Sequence, residues 1–469
     1  MKTPLPGDRH FYRHTLALGL PVALQHLLTT SAGFVDTIMI GSQGELAVAA
    51  VGICSQYTML LFSAYFGFCN GGTIFIAQYW GAKNERGISR SYGLMLSCMM
   101  AAGILFGSAA VLAPEFILSI YTDKEDIRQA GVPYLRIVGF SYPLQVFSMA
   151  IGSLLRSVEK VRIPLFASVL SLLSNTFLNW VLIFGHFGFP RLGVAGAAIA
   201  TVCASLINVL VLYCWCFQDR TSFVLRIRDH YRWDRRFLGQ FFSKNLFIVG
   251  NEGFYGIGQM LINIIIGRQS EAGIAAIAVF RVIEGIIFTF FNGLANASAV
   301  MVGKKIGAGE HLDGYRYAKR FIVLSPALTL LICVLILPVR GPLLSFFSLG
   351  DEARRYAMGM LLIYTITGTI RSCNYMNNNI FRAGGESVFG TVIELGGLFF
   401  ISVPAVALTG LALHFPFLVV FTMLYLDEFI RLGIIVRYMN SGKWIKPVTE
   451  EGRKTLGAFH SRRHDQQQG

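Results

Sequence analysis

The sequence predicts an all-α integral membrane protein with twelve transmembrane helices in two six-helix lobes, related by a parallel pseudo-two-fold repeat. Three observations predict it. Hydrophobic residues make up 54% of the 469 and charged residues only 14%, against about 25% charged in a soluble domain. The chain repeats itself at a fixed offset of 226 residues. Lys and Arg gather in alternate loops, as they do when one face of a membrane protein is cytoplasmic.

The repeat runs without a gap. Ile40-Gly41 returns as Ile266-Gly267, Gln43 as Gln269, Ala49-Ala50 as Ala275-Ala276 and Asn70 as Asn296. Gly81-Ala82 returns as Gly307-Ala308, Arg90 as Arg316 and Arg156 as Arg382. Two similar apolar halves are the signature of a secondary carrier, whose binding site lies between repeats.

A helical span needs roughly 20 apolar residues. Six such runs fall in the first half, near residues 14–40, 46–80, 91–113, 132–155, 163–184 and 194–217. Six follow in the second, near 241–267, 273–303, 317–338, 357–381, 389–410 and 413–437. Turn and charge signals such as Gly81-Ala82-Lys83-Asn84-Glu85-Arg86 separate them. The runs are too long and too uniformly apolar for an outer-membrane barrel, whose segments are about 10 residues of alternating polarity. Most of the 49 Gly lie inside spans, where a missing side chain lets helices approach. The expected divisions are an N-lobe at 1–217, a linker at 218–240, a C-lobe at 241–440 and a basic tail at 441–469.

Of the 40 Lys and Arg, 30 fall on the side of the N-terminus, 7 on the other side, and Arg136, Arg281 and Arg371 inside spans. Both termini are therefore expected in the cytoplasm, with the protein in the inner (plasma) membrane. An even number of spans per repeat keeps the orientation, so the halves are parallel repeats about an axis along the membrane normal. The net charge of +14 is topological, with room for contact to anionic lipid; nucleic acid is not an expected partner.

Other classes lack their signatures. No G-x-x-x-x-G-K-[ST] phosphate loop is present, since Val302-Gly-Lys-Lys305 has neither the spacing nor the Ser/Thr. An ion gradient, with no bound cofactor, is the expected energy source. The eight Cys lie in or near spans with no metal-type pairing to His, and Cys214-Trp-Cys216 is too tight for a zinc pair. Met1–Arg13 is polar and precedes a full-length apolar run, unlike a cleaved signal peptide.

Ionisable residues inside spans are the functional candidates. A mid-bilayer carboxylate costs about 2.5–3.5 kcal/mol on insertion scales, so it faces the protein interior. Asp36, in Gly33-Phe-Val-Asp-Thr-Ile-Met-Ile-Gly41, has no basic residue at i±3 or i±4. A carboxyl so placed can exchange a proton or, with amide oxygens nearby, hold Na⁺. Asn175 and Asn179 share one face of the fifth span, and Thr201 lies on the sixth. In the second half, Glu252 is placed to face Arg371, Arg281 and Glu284 are spaced to pair locally, and Glu394 is a further candidate. Asp427, Glu428 and Arg431 read as paired structural charge. The halves differ here: Ile262 stands one repeat from Asp36, and His26 one repeat from Glu252.

At these residues the chain resembles the multidrug and toxic compound extrusion (MATE) family over about residues 10–440. The resemblance rests on Pro21, Gly33 to Gly41, Ala49-Ala50 and Gln78-Tyr-Trp-Gly81-Ala82. It continues in Leu155-Arg156-Ser157, Asn175 to Asn179, Gly193 to Thr201, Ala275-Ala276, Gly307-Ala308 and Phe381-Arg382-Ala383-Gly384-Gly385. It implies two lobes around a central cavity, rocking alternating access, and cation-coupled export of organic cations or other amphipathic compounds. The family's first-span acid matches Asp36, its fifth-span partners Asn175 and Asn179, its sixth-span Thr Thr201, and its seventh-span Glu Glu252. A departure is Arg371, where the Na⁺-linked branch carries an Asp; a positive neighbour there disfavours a cation site and moves the coupling towards Asp36.

The expected function is an H⁺- or Na⁺-driven antiporter, not an enzyme, working as a monomer on small organic substrates. A lipid-linked precursor flippase of the same superfamily is the alternative; it predicts a larger cationic central cavity, and Arg281 and Arg371 both lining the cavity would favour it. A membrane-embedded transferase is remote, because no D-D-x-x-D pattern appears.

Overall fold

A computed structural model describes residues 9–219, 224, 227–347 and 349–468, with side chains to residue 461. The described residues are almost entirely helical. α1 is Arg9–Gly41, α2 Glu45–Gly81, α3 Glu85–Leu112, α4 Pro114–Tyr121, α5 Glu125–Val138 and α6 Ser141–Ser157. α7 is Arg162–Phe184, α8 Val194–Gln218, α9 Ile227–His230, α10 Arg235–Gly267, α11 Glu271–Gly307 and α12 His311–Ser345. α13 is Asp351–Ala383, α14 Val388–Ala412, α15 Phe417–Met423, α16 Leu426–Ser441 and α17 Glu450–Gln468.

Twelve spans follow when α5 with α6 and α15 with α16 are each counted as one. Among the described residues, eight helices cross by length and apolarity alone, and α5–α6 makes a ninth. α10 and α13 are equally long, 33 residues each, or about 50 Å at 1.5 Å per residue. They carry the polar load of the second half, including Glu252, Arg371, Asn374, Asn377 and Asn378. Large apolar side chains remain outward, such as Phe34 at 62% and Phe400 at 83% exposure, which lipid rather than water accommodates.

Two expected spans are broken. The fourth bends by 47° between α5 and α6, where Pro143 has no N–H to offer the Gly139 carbonyl. The twelfth starts only at Phe417, after Pro416, and breaks again at Leu424-Tyr425. The eleventh, α14, is continuous but contains two π-helical turns, Leu398–Ser402 and Leu408–Ala412. Such turns often mark functional sites.

Internal packing divides the chain into two compact units. One holds the described residues up to Ala23, Ala77–Lys83 and Leu246 onward; the other holds Leu24–Ile76 and Asn84–Asn245. The division differs from the lobe boundaries expected from the repeat because the ends of α1 and α2 pack with second-half helices. Gly19 meets Gly293 so closely that a Cβ on Gly293 would stand 2.6 Å from the Gly19 carbonyl oxygen. Phe11 packs edge-on against Phe321 at 5.0 Å.

The basic tail also has a defined place in this unit. Trp444 is fully buried, with Ile445, Val448 and Thr449 nearly so. Gln78 links α2 to it: its Nε2 donates to the Ala383 carbonyl at 2.8 Å and its Oε1 accepts from Val448 N–H at 2.7 Å. Thr449 Oγ1 donates to the Gly307 carbonyl at 2.7 Å. In the turn after α13, Lys446 pairs with Glu386. Burial works against the Glu386 carboxylate, but Lys446 and the N–H groups of Phe389 and Val388 outweigh it and hold its pKa below the ordinary Glu value.

Candidate functional site

The first-half unit places Asp36 of α1 against α7. Asn179 Nδ2 donates to Asp36 Oδ1 at 2.5 Å and also faces Asn175 Oδ1 at 3.2 Å. Asn175 and Asn179 sit one turn apart on α7, at 7% and 1% exposure, so the i, i+4 spacing puts both amides on one face, and Asn179 is the one that reaches the carboxylate. The Oδ1 of Asn179 is buried with no hydrogen-bond partner, a cost of about 1–3 kcal/mol unless a ligand or proton donor satisfies it. Asp36 has no ion-pair partner among the described residues, whereas Glu252, Glu284, Glu394, Asp427 and Glu428 each face an Arg. The cluster therefore offers a half-buried carboxylate and two amide oxygens, a set suited to a proton or a hard cation.

Thr201 does not join this hydrogen-bonded trio. Its hydroxyl donates to the Ala197 carbonyl of its own helix at 3.0 Å. Tyr134 of α5, which sequence reasoning did not single out, is an electrostatic neighbour of Asp36. Its only signal was its place in the span that turned out to be bent.

The second-half unit gathers the remaining candidates, with pairings that correct the expected ones. Glu252 does not pair with Arg371; it faces Arg382 at 3.7 Å. Nor do Arg281 and Glu284 pair. Arg371 Nη1 reaches Glu284 Oε1 at 2.5 Å, with Nη2 on the Tyr255 hydroxyl at 3.3 Å. Arg281 instead donates to Asn263 Oδ1 at 2.6 Å. The i, i+3 spacing allowed the local pair, but α13 presents the better-buried guanidinium to Glu284, and a buried charge is held where pairing and hydrogen bonds combine. Glu394 Oε2 accepts from Asn251 at 3.0 Å and Asn378 at 2.8 Å, with Arg382 at 3.9 Å. Asp427 and Glu428 share Arg431 at 3.0 and 2.8 Å, and Asp427 Oδ1 also accepts from Ser402 in the first π turn at 2.7 Å.

These groups surround a cavity of about 220 Å³ in that unit, walled by Tyr255, Phe280, Phe421 and Tyr425. Arg281 and Arg371 both line it, but with Arg431 they face Glu284, Glu394, Asp427 and Glu428. Acids outnumber bases, so the cavity is not cationic.

The repeat survives in the contacts themselves. Gln25 Nε2 donates to Ser168 Oγ at 2.9 Å in one unit, and Asn251 Nδ2 to Glu394 Oε2 at 3.0 Å in the other. Each residue of the second pair lies 226 positions after its equivalent in the first. The same amide-to-partner contact is built twice; only the second copy carries charge. At the equivalent of Asp36, Ile262 is fully buried in the apolar core.

An all-helical membrane chain of duplicated halves, with ionisable groups held at the interior ends of its hydrogen-bond networks, defines the class of secondary membrane transporters. The MatE family model matches residues 21–181 and 253–408, and the chain belongs to that family. It is 21% identical to an uncharacterized transporter, YisQ, of Bacillus subtilis over 94% of this chain and 96% of that protein. It is 23% identical to a probable multidrug resistance protein NorM of Thermotoga maritima over 95% and 96%. Among solved structures, a MOP superfamily transporter from Pyrococcus furiosus superposes with a TM-score of 0.80 at 17% identity, over 93% of this chain and 98% of that one. A Vibrio cholerae MATE transporter gives 0.80 at 18%, over 92% and 96%. At these identities the structures show the fold. The protein is a multi-pass membrane transporter.

Proposed function

We propose that the protein is a cation-coupled antiporter that exports small organic compounds across the plasma membrane, with both termini in the cytoplasm and Asp36 as the coupling group. The observation that carries this reading is the contrast in partners. Among the described residues, Asp36 is held only by the Asn179 amide, while Glu252, Glu284, Glu394, Asp427 and Glu428 each face an Arg. A carboxylate already neutralised by a guanidinium has little to gain from a proton or Na⁺; one met by a neutral amide alone keeps its charge and has much to gain.

The proposed step follows from the donor set. Either H⁺ binds Asp36, or Na⁺ sits between its carboxylate and the Asn175 and Asn179 amide oxygens. In both cases the loaded site loses its negative charge, and the Asn179 amide turns its unpartnered oxygen towards the new positive group. That change at the α1–α7 contact favours one access state over the other, which is what coupling requires. Small-molecule export as the activity is supported by the multidrug resistance names of the relatives. Glu252, Arg281, Glu284, Arg371 and Glu394 are assigned to a secondary charge site, with Arg281 the group available to a substrate.

Uptake of a fluorescent organic cation into inverted vesicles, where export runs into the lumen, with proton and sodium gradients collapsed separately, tests the coupling ion. Loss with one ionophore and not the other identifies it; uptake that survives both overturns the antiporter reading. Arg281 and Arg371 both line the second-half cavity, which favours the lipid-linked precursor flippase on that point, while the four acids there against three Arg weigh against the cationic cavity it requires.

A further inference from the structure

Beyond the transport site, the first-half unit holds a second cavity, of about 420 Å³, lined by Arg86, Arg90, Asp229, Arg232, Trp233 and Asp234. It is built between the start of α3 and the segment leading into α10. That segment is not loosely draped. His230 packs so tightly on α3 that a Cβ at Gly93 would stand 2.4 Å from the His230 carbonyl oxygen, and its ring stacks edge-on against buried Tyr92 at 5.2 Å.

Both acids of the cavity are already occupied. Arg90 Nη2 pairs with Asp234 at 2.9 Å, and Asp234 Oδ1 caps α10 by accepting from Phe237 N–H at 2.6 Å. The Arg90 hydrogen bond, then that N–H, hold the Asp234 carboxyl below its ordinary pKa. Arg232 pairs with Asp229 at 3.5 Å. What remains is donor capacity without acceptors. Arg86 is exposed and has no partner among the described residues, while Arg90 Nε and Trp233 Nε1 are buried N–H groups with no hydrogen-bond partner. Three guanidiniums against two carboxylates, with at least three N–H directions open, call for a ligand of several acceptor oxygens and negative charge.

Phosphate oxygens fit that description, and the position favours a lipid as their source. Arg86 sits in the first turn of α3, where the apolar span meets the basic loop, which is headgroup level. Tyr231, 62% exposed, lies beside Trp233 with ring centroids 5.6 Å apart, the aromatic pairing typical of a membrane–water interface. We propose that this cavity binds the phosphate headgroup of an anionic phospholipid, anchoring the segment between the two halves to the bilayer surface.

The test uses the full chain purified in detergent, with lipid retention by native mass spectrometry and thermal unfolding read in parallel. Dioleoylphosphatidylglycerol, dioleoylphosphatidylcholine and inorganic phosphate are the three probes. Wild type should retain the phosphatidylglycerol and unfold at a higher temperature with it, and phosphatidylcholine should do neither. Arg86→Gln, at an exposed position, should leave the lipid-free unfolding temperature unchanged and weaken retention by roughly tenfold, the order of one lost charge-assisted contact. Trp233→Phe, which keeps an aromatic ring and removes the donor, should weaken it in the same direction. Equal retention by wild type and Arg86→Gln, or equal effects of the two lipids, would overturn the proposal. Protection by inorganic phosphate at the same concentration would assign the site to a soluble phosphate and overturn the lipid assignment.

Discussion

Asn179 Nδ2 lies 2.5 Å from Asp36 Oδ1, and this amide is the carboxylate's only side-chain hydrogen-bond donor among the described residues. The contact joins α1 to α7 across 143 residues of chain. One repeat later the equivalent of Asp36 is Ile262, fully buried in hydrocarbon. The pair is thus a local departure from a duplicated scaffold.

Asn179→Ala should leave the protein inserted and reduce gradient-driven export by about 10- to 100-fold, as expected for losing a hydrogen bond to a charged group worth about 1.5–3 kcal/mol. Transport in proteoliposomes measures it. Asn179→Asp should be more damaging than Asn179→Ala at high pH, because a second carboxylate would face Asp36 at hydrogen-bond distance. Export by Asn179→Ala at the wild-type rate would remove the amide from the mechanism.

The Glu284–Arg371 pair keeps 19% and 25% of its side-chain exposure. Breaking it with Glu284→Gln should therefore cost about 2–3 kcal/mol, somewhat below the 3–5 kcal/mol of a fully buried pair. Unfolding in detergent measures this. Exchanging the charges, Glu284→Arg with Arg371→Glu, should recover part of the loss. Glu252→Gln should cost less, since Arg382 also lies near Glu394.

Gln78 holds two backbone groups of the second-half unit at once. In Gln78→Ala the Val448 N–H loses its acceptor and the Ala383 carbonyl its side-chain donor, at about 1–3 kcal/mol for each buried group left unsatisfied. The tail should loosen locally before the spans do. Limited trypsinolysis should then cut at Lys443 or Arg453 faster than in wild type, with the membrane core intact.

Glu386 sets a pH dependence. Its folded pKa is depressed below the ordinary Glu value, so its contribution to stability is fully present above the unfolded value, near 4.3. It is lost as pH falls through the depressed folded value. Glu386→Gln should flatten the acid limb of the unfolding temperature below about pH 4.5 and leave the neutral range shifted by a constant.

Much of the fold was legible because bilayer physics is simple: long apolar runs, a fixed-offset repeat and basic loops require little tertiary knowledge. Pro143 and Pro416 were visible as residues but not as breaks, because whether a span bends at Pro depends on what replaces the lost hydrogen bond. The π turns of α14 left no pattern in composition. At the sites, the convergence of Asn175 and Asn179 followed from helical spacing, and their meeting with Asp36 did not, since it spans 143 residues. The pairing of Asp427 and Glu428 with Arg431 was read correctly, but the partners of Glu252 and Glu284 were misread for the same reason. Spacing suggested Arg281 with Glu284, but the choice among Arg281, Arg371 and Arg382 is made by helix rotation. The tail looked like a basic appendage because its anchors, Trp444 and Thr449, are isolated apolar and hydroxyl residues in a polar stretch.

The most direct test of the central claim is counterflow and gradient-driven export by Asp36→Asn in proteoliposomes, measured side by side. Asp36→Asn keeps the size of the side chain and removes the charge. Export driven by the ion gradient should disappear, while substrate binding and folding are retained. Gradient-driven export by Asp36→Asn at the wild-type rate would contradict it.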